Sequence, residues 1–534
     1  MSQLKVITGG SVSAAVEEFL PTLIADKVAS RIAAKDFTLW GKDAEAESSI
    51  RLGWVTSATD SAPLVEPILA LKAEFAAKGI HRFVLCGMGG SSLAPEVITR
   101  TAGVELVVLD STNADQVGHA LHTAIERTAV IVSSKSGSTV ETDSQKRVFE
   151  QAFDAAGIDK RDRIVIVTDP GSPMEKAATE DGYRIFNADP NVGGRYSALT
   201  AFGLVPSGLA GVDIKQLLAD AQSVAALLAS DDENNPALIL GAALGATPGE
   251  YGLRDKIGIV TEDSPIVGFG DWAEQLIAES TGKLGKGILP VVLTPQSAEL
   301  HSGLADLLAV RLVADATTVR GDEAAVSGSL GAQFMLWEYA TVIASRLIGI
   351  NPFDQPDVES AKIAARAMLT SREPIAAPAF VDGQIEVRAL GLSLDAAHDT
   401  KTALAALLRQ LDTDNGYISV QAYLDRTSVA EATELRDLLA SKSRRPVTFG
   451  WAPRFLHSTG QYHKGGPEQG VYLQLVSAAK HDIAVPGRDF SFGELIASQA
   501  AGDAKALAEH GRPVLTLTLG DAAAGIAAIK AALA

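Results

Sequence analysis

The chain of 534 residues is long enough for three ordinary domains or two large ones. Apolar residues make up 47% and charged residues 21%, which excludes wholesale disorder and leaves ample material for a buried core. Lys and Arg number 46 against 65 Asp and Glu, a formal net charge of −19 that argues against a general binder of nucleic acid or anionic membrane.

The opening MSQLKVITGG lacks the charged-then-apolar pattern of a secretory signal, and no apolar run approaches the ~20 residues that span a bilayer. A single cysteine, Cys86, excludes an intramolecular disulfide, and nine scattered histidines give no zinc-finger spacing. The expectation is a cytoplasmic protein. Strand-like apolar runs stand at 82–86, 104–110, 129–133 and 163–168, with helix-like segments at 95–101 and 139–156. Such alternation predicts parallel strands joined by crossover helices, and runs as apolar as RFVLCG and RIVIVTD predict a sheet covered on both faces.

The polar stretch SDDENNP at 230–236 reads as a linker, dividing the chain into 1–229 and 230–534, and an Ala/Leu-rich helix follows at 237–246. A second alternating block has strands at 257–261, 288–293 and 307–313 and a helix around 334–347. Beyond Asn351, strand-like runs at 417–423, 446–450, 471–476 and 513–519 and helices at 429–441 and 522–533 form an extended C-terminal region. The Pro- and Ala-rich 372–384 reads as a linker or strap. The predicted fold class is α/β, with two doubly wound parallel-sheet domains and that extension. The two blocks have the look of a weak internal duplication.

The run 82–86 leads into Gly87-Met88-Gly89-Gly90-Ser91-Ser92 and then a helix. Glycines at a strand-to-helix turn let the backbone approach a ligand, and the N–H groups of the helix start favour an anion. Gly-Lys-Ser/Thr is missing, so this is not a Walker loop, and no third glycine completes a dinucleotide fingerprint. The competing reading is a Gly-rich turn with an N-cap serine. The next strand end repeats the theme with Ser133-Ser134-Lys135-Ser136-Gly137-Ser138-Thr139, for which the plain alternative is a capping box before the helix. Two such loops at carboxyl strand ends point to one phosphate held mostly by neutral donors.

Five motifs, GMGGSSLAP, SSKSGSTVET, NVGGRYSALTAFG, QLIAESTGKLGKG and NPFDQPDVESAK, occur in that order. Over residues of about 80 to 365, with an echo near 457, they resemble the signatures of the phosphoglucose isomerase family, built from paired sugar-isomerase (SIS) domains. The likeness is strongest to the form found fused to a transaldolase, although no transaldolase portion is apparent. The resemblance implies SIS-type domains and a metal-independent aldose–ketose isomerase. Its reaction would interconvert glucose 6-phosphate and fructose 6-phosphate through a cis-enediol. It implies no cofactor. The expected partner is a small-molecule sugar phosphate, with no nucleic acid and no membrane, and a homodimer fits the dimeric family.

By the same resemblance Gly90 and Ser91 match the first phosphate loop, and Ser134, Ser136 and Thr139 the second. Ser136-Gly137-Ser138 stands where many members have Thr-Phe-Thr, so hydroxyls remain and a ring is lost. Gly194 and Arg195 match the Gly-Gly-Arg signature, Gln275 and Glu279 the glutamine and the base four residues on, and Gln355 and Lys362 the late signature. Asp357 replaces a common glycine there. Moving a proton between C2 and C1 needs a carboxylate within reach of both, assigned to Glu279, and the enediolate charge needs a fixed cation, assigned to Arg195. Ring opening suits a histidine helped by an ammonium group, assigned to Lys362.

Three histidines compete for ring opening. His457, in Leu456-His457-Ser458-Thr459-Gly460-Gln461, matches shorter bacterial members but follows Lys362, so the two signatures stand in exchanged order. His463 and His301 are the alternatives. Exchanged order raises the expectation that the tail completes the site within one chain. Lys464-Gly465-Gly466-Pro467 reads as a loop, and Trp40, Trp54 and Trp272 as core. No metal-ligand spacing and no Gly-x-Ser-x-Gly elbow is present. The rival functions are another sugar-phosphate isomerase, such as one also accepting mannose 6-phosphate, and a sugar-phosphate sensor without catalysis.

Overall fold

The computed structural model of the protein describes residues 3–250, 252–358, 363, 367–369 and 376–534. Three large sheets organise them, beside a two-stranded ribbon of Pro248–Gly249 and Gly252–Leu253. The first runs, edge to edge, Val107–Leu109, Arg82–Gly87, Thr128–Ser133, Ile164–Thr168 and Arg184–Asn187, all parallel. The second runs Leu289–Leu293, Lys256–Thr261, Leu307–Leu312 and Ala324–Ser327 in parallel, then Lys5–Thr8 antiparallel at its edge. In the third, Val447–Trp451, Tyr417–Tyr423, Gly470–Ser477 and Val514–Leu519 are parallel, and Ile385–Leu390 and Phe380–Asp382 follow antiparallel.

In each sheet the first four parallel strands, numbered along the chain, lie in the spatial order second, first, third, fourth. That is a doubly wound topology whose direction of winding reverses between the first and third strands, where ligands of open α/β sheets sit. The extended C-terminal region is thus a third unit of the same design, with its own core of Leu404, Leu407, Val420, Leu435, Leu473 and Ile529. The N-terminal arm supplies the edge strand of the second sheet rather than of the first.

The first two sheets share one hydrophobic core that continues through the helices Ile214–Leu228 and Pro236–Ala246 on either side of the 230–236 turn. Asn235 caps the second of these helices and bonds back to Leu228 and Ser230, so the polar run is a tight turn over a common core. The strand expected at 104–110 is only Val107–Leu109. Gly103 ends the preceding helix in the left-handed region and the N–H of Val104 still bonds Thr99, which draws the first apolar residues into the helix exit. The expected strand 446–450 runs Val447–Trp451. Trp54 and Trp272 are buried in the core, and the half-buried Trp40 bonds the carbonyl of Val342.

Candidate active site

Gly87 and Ser133 lie side by side at the carboxyl ends of adjacent strands, so both serine-rich loops start at the reversal point of the first sheet. The first loop turns through a short 3-10 segment, Gly89–Ser91, into the helix Leu93–Ala102. Gly89 has φ +54, and a Cβ there would fall 2.7 Å from the carbonyl oxygen of His457. At Gly90 a Cβ would fall 2.0 Å from the carbonyl oxygen of Gly194. Glycine is what lets three chain segments meet here.

Neither serine loop is a simple cap. Ser92 donates to the carbonyl of Gly89 and makes no side-chain cap. Thr139 stands at the N-cap of the helix Val140–Ala155 without capping it; its hydroxyl lies 3.1 Å from that of Ser134. Ser134 also accepts the N–H of Gly137, and Ser136 that of Ser138. The hydroxyls therefore cluster over two helix starts, an anion site made of neutral donors. Beside them Lys135 pairs with Asp169. Burial lowers the Lys135 pKa and raises that of Asp169.

Arg195 sits on the 3-10 turn Gly194–Tyr196. The ring of Tyr196, stacked on Trp54 and tilted against Phe353, anchors that turn in the core. The guanidinium donates to the carbonyls of Pro352 (2.9 Å) and Asp354 (3.2 Å) and to Gln355 Oε1 (3.2 Å), and lies 3.4 Å from Glu279 Oε1. Its Nε has no partner among the described residues. Glu279 and Gln275 share one face of the helix Phe269–Thr281, four residues apart, and Gln275 donates to Glu279 Oε2 (3.1 Å) and to the carbonyl of His457 (2.8 Å). Lys283, just beyond, donates to the carbonyls of Asn351 and Asp354 and to the Asp354 carboxylate. Burial and the nearby Arg195 push its pKa down to about 8.

His457 comes from the third unit, on the 3-10 turn Arg454–His457 after the strand Val447–Trp451. Arg454 ties this turn to Glu96 and Asp110 of the first unit. The imidazole Nε2 lies 2.9 Å from Glu141 Oε1, and Gln499 donates to the same oxygen at 2.8 Å.

One cavity of about 420 Å³ is lined by Gly90, Ser91, Ser134, Ser136, Thr139, Gly194, Arg195, Gln275, Glu279, Gln355 and His457 together. Lys362 lies outside the described residues. The other two histidines are elsewhere: His301 is exposed on a short 3-10 turn, and His463 is buried against Tyr417, its pKa pressed well down by burial. Lys464, expected in a loop, closes the helix Gly460–Gly465 and pairs with Asp503 in the interior. Asp357 exchanges hydrogen bonds with Gln461, joining the two signatures whose chain order is inverted. Among the described residues no three His, Cys, Asp or Glu side chains gather as metal ligands, and no helix is long and apolar enough to cross a membrane.

Sequence reasoning missed Glu141, Gln499 and Lys283, and also Arg51 and Asp169, which line the same cavity. Glu141 lies within a quoted motif and stood out only as a capping residue. Gln499 is 358 positions from Glu141 and carries no local signal.

Three doubly wound units with a serine-lined cavity at a sheet reversal define an α/β protein of the doubly wound class. Residues 70–291 match the family model of phosphoglucose isomerase. The chain is 34% identical over 215 residues to a probable glucose-6-phosphate isomerase of Haloarcula marismortui, covering 39% of this chain and 48% of the relative. It is 29% identical over 353 residues to the glucose-6-phosphate isomerase of Citrifermentans bemidjiense, covering 54% and 66%. The chain thus spans between about half and two thirds of the length of these relatives. Among solved structures, a hypothetical protein of Thermus thermophilus superposes with TM-score 0.58 at 23% identity, over 69% of this chain and 100% of the other, which supports the fold.

Proposed function

We propose that the protein is an aldose–ketose isomerase that interconverts glucose 6-phosphate and fructose 6-phosphate through a cis-enediol, with no metal. The observation that carries this reading is the single cavity in which Glu279 and Arg195 face the hydroxyl cluster of the two serine loops. The sugar phosphate binds by its phosphate to Ser91, Ser134, Ser136 and Thr139 and to the two helix starts, which leaves C1 and C2 toward Glu279. His457 serves the ring oxygen through Nδ1, since Nε2 is committed to Glu141. Glu279, fixed by Gln275 and Arg195, removes the proton from C2 and returns it to C1. Arg195, immobilised by two carbonyls, faces the oxygen on which enediolate charge develops. Fixed donors stabilise that charge more than the ground state and need no reorganisation.

The test is conversion of fructose 6-phosphate followed by coupled oxidation of the product, with a chelator present, for wild type and Glu279→Gln. The expected result is chelator-insensitive turnover in wild type and a fall in kcat of about 10²–10⁴-fold in the variant. An inactive wild type refutes the isomerase, chelator-sensitive turnover refutes the metal-free chemistry, and an unaffected variant removes Glu279 from its role.

A further inference from the structure

The C-terminal unit contributes a second side chain to this site besides His457. The helix Phe492–Glu509 carries Gln499, which is 4% exposed and sits between two residues of the first unit. Its Oε1 accepts the hydroxyl of Thr112 at 2.7 Å, and its Nε2 donates to Glu141 Oε1 at 2.8 Å. Thr112 is 0% and Glu141 5% exposed, so water cannot take the place of the amide. The carboxylate of Glu141, which accepts from the amide, fixes which end is which: nitrogen toward Glu141, oxygen toward the hydroxyl of Thr112.

An ionised carboxylate only accepts, so the His457 nitrogen 2.9 Å from Glu141 Oε1 must be the one bearing hydrogen. The imidazole is therefore held as the Nε2–H tautomer and its Nδ1 lone pair is left for the cavity that His457 lines. Oε1 now receives two donors, Gln499 and His457. The amide restrains the carboxylate from turning and moderates its pull on the imidazole proton.

We propose that Gln499, oriented by Thr112, is a positioning residue that sets the tautomer and direction of His457 through Glu141. The assignment rests on the proposed role of His457 for its effect on turnover, but not for its effect on the imidazole. Gln499→Leu removes the donor and strands the hydroxyl of Thr112. Gln499→Met keeps the length, offers no donor, and serves if the leucine variant folds poorly.

Two readouts test the assignment on the full chain. In 15N-imidazole NMR, wild-type His457 shows one Nε2–H tautomer, whereas both variants show a mixture. In steady-state kinetics both lower kcat about tenfold or more with KM within about twofold, the scale of lost orienting contacts. Unchanged tautomers in both variants overturn the proposal, as does an unchanged kcat in both variants of an active enzyme. Altered tautomers in a chain whose wild type turns over no sugar phosphate support the positioning role and sink the isomerase reading instead.

Discussion

Replacing Gly90 by alanine probes the meeting of the first serine loop with the Gly-Gly-Arg loop. The new Cβ would stand 2.0 Å from the carbonyl oxygen of Gly194 and 2.4 Å from its carbonyl carbon, against a practical lower limit of 3.0 Å. Backbone lies on both sides of this contact, so no flexible side chain can yield. The loops must part by about 1 Å, and a displacement of that size at a reacting geometry costs about 10²-fold in rate. Because Arg195 follows Gly194 directly, the displacement moves the cation relative to the phosphate loop. The coupled isomerase assay should show kcat/KM reduced about 10²-fold, with the melting temperature lowered by several degrees for a strain of about 1–3 kcal/mol. Gly118→Ala is the control, since its Cβ would meet only the end of Ile483 at 3.4 Å inside the helix Ala114–His122, where alanine stabilises. A Gly90→Ala enzyme within threefold of wild type, with an unchanged melting temperature, would refute the close-approach argument.

The site draws the serine loops, Glu279 and His457 from one chain, so mixing Glu279→Gln with His457→Ala chains should restore no activity; complementation would place the histidine in a neighbouring subunit. Arg195→Met should lower kcat by about 10²–10³-fold, the scale of a lost oxyanion donor, and a loss confined to KM would show that Arg195 only binds substrate. Lys283 has a folded pKa of about 8, below its ordinary 10.5. The unfolded chain then binds more protons than the folded one between those values, so stability rises with pH across that window, by up to about 3 kcal/mol. Urea unfolding of wild type and Lys283→Met at pH 7.5 and 10 should reveal this as a growing difference; a constant difference would mean the lysine is not held in that state.

Strand-to-helix grammar made the first unit legible, because its strands are buried on both faces and read as unbroken apolar runs, while the serine loops stand out at their ends. The third unit was legible as strands but not as a repeat of the same topology. Tyr417, Ser419, Gln421 and Tyr423 alternate with Ile418, Val420 and Ala422, which reads as a half-exposed strand. All seven are buried, and the polar face lies against an interior network of Gln474, Asp503, Lys464 and Thr516. Periodicity reports polarity, not exposure. The choice among the three histidines was equally beyond sequence, since it turns on contacts such as Gln275 with the His457 carbonyl, made across 182 positions. Glu141 was visible, but only as the first turn of a helix; its partner 316 residues away was not.

The hydrogen bonds behind His457 close long spans of the polypeptide: 316 residues from Glu141 to His457 and 387 from Thr112 to Gln499. A chain emerging from the ribosome presents the serine loops and the carboxylate of Glu279 before the imidazole of His457 and the amide of Gln499. Contacts of such separation close slowly. On the proposed function, the phosphate grip precedes the imidazole in the growing chain, and competence waits for the C-terminal unit to dock.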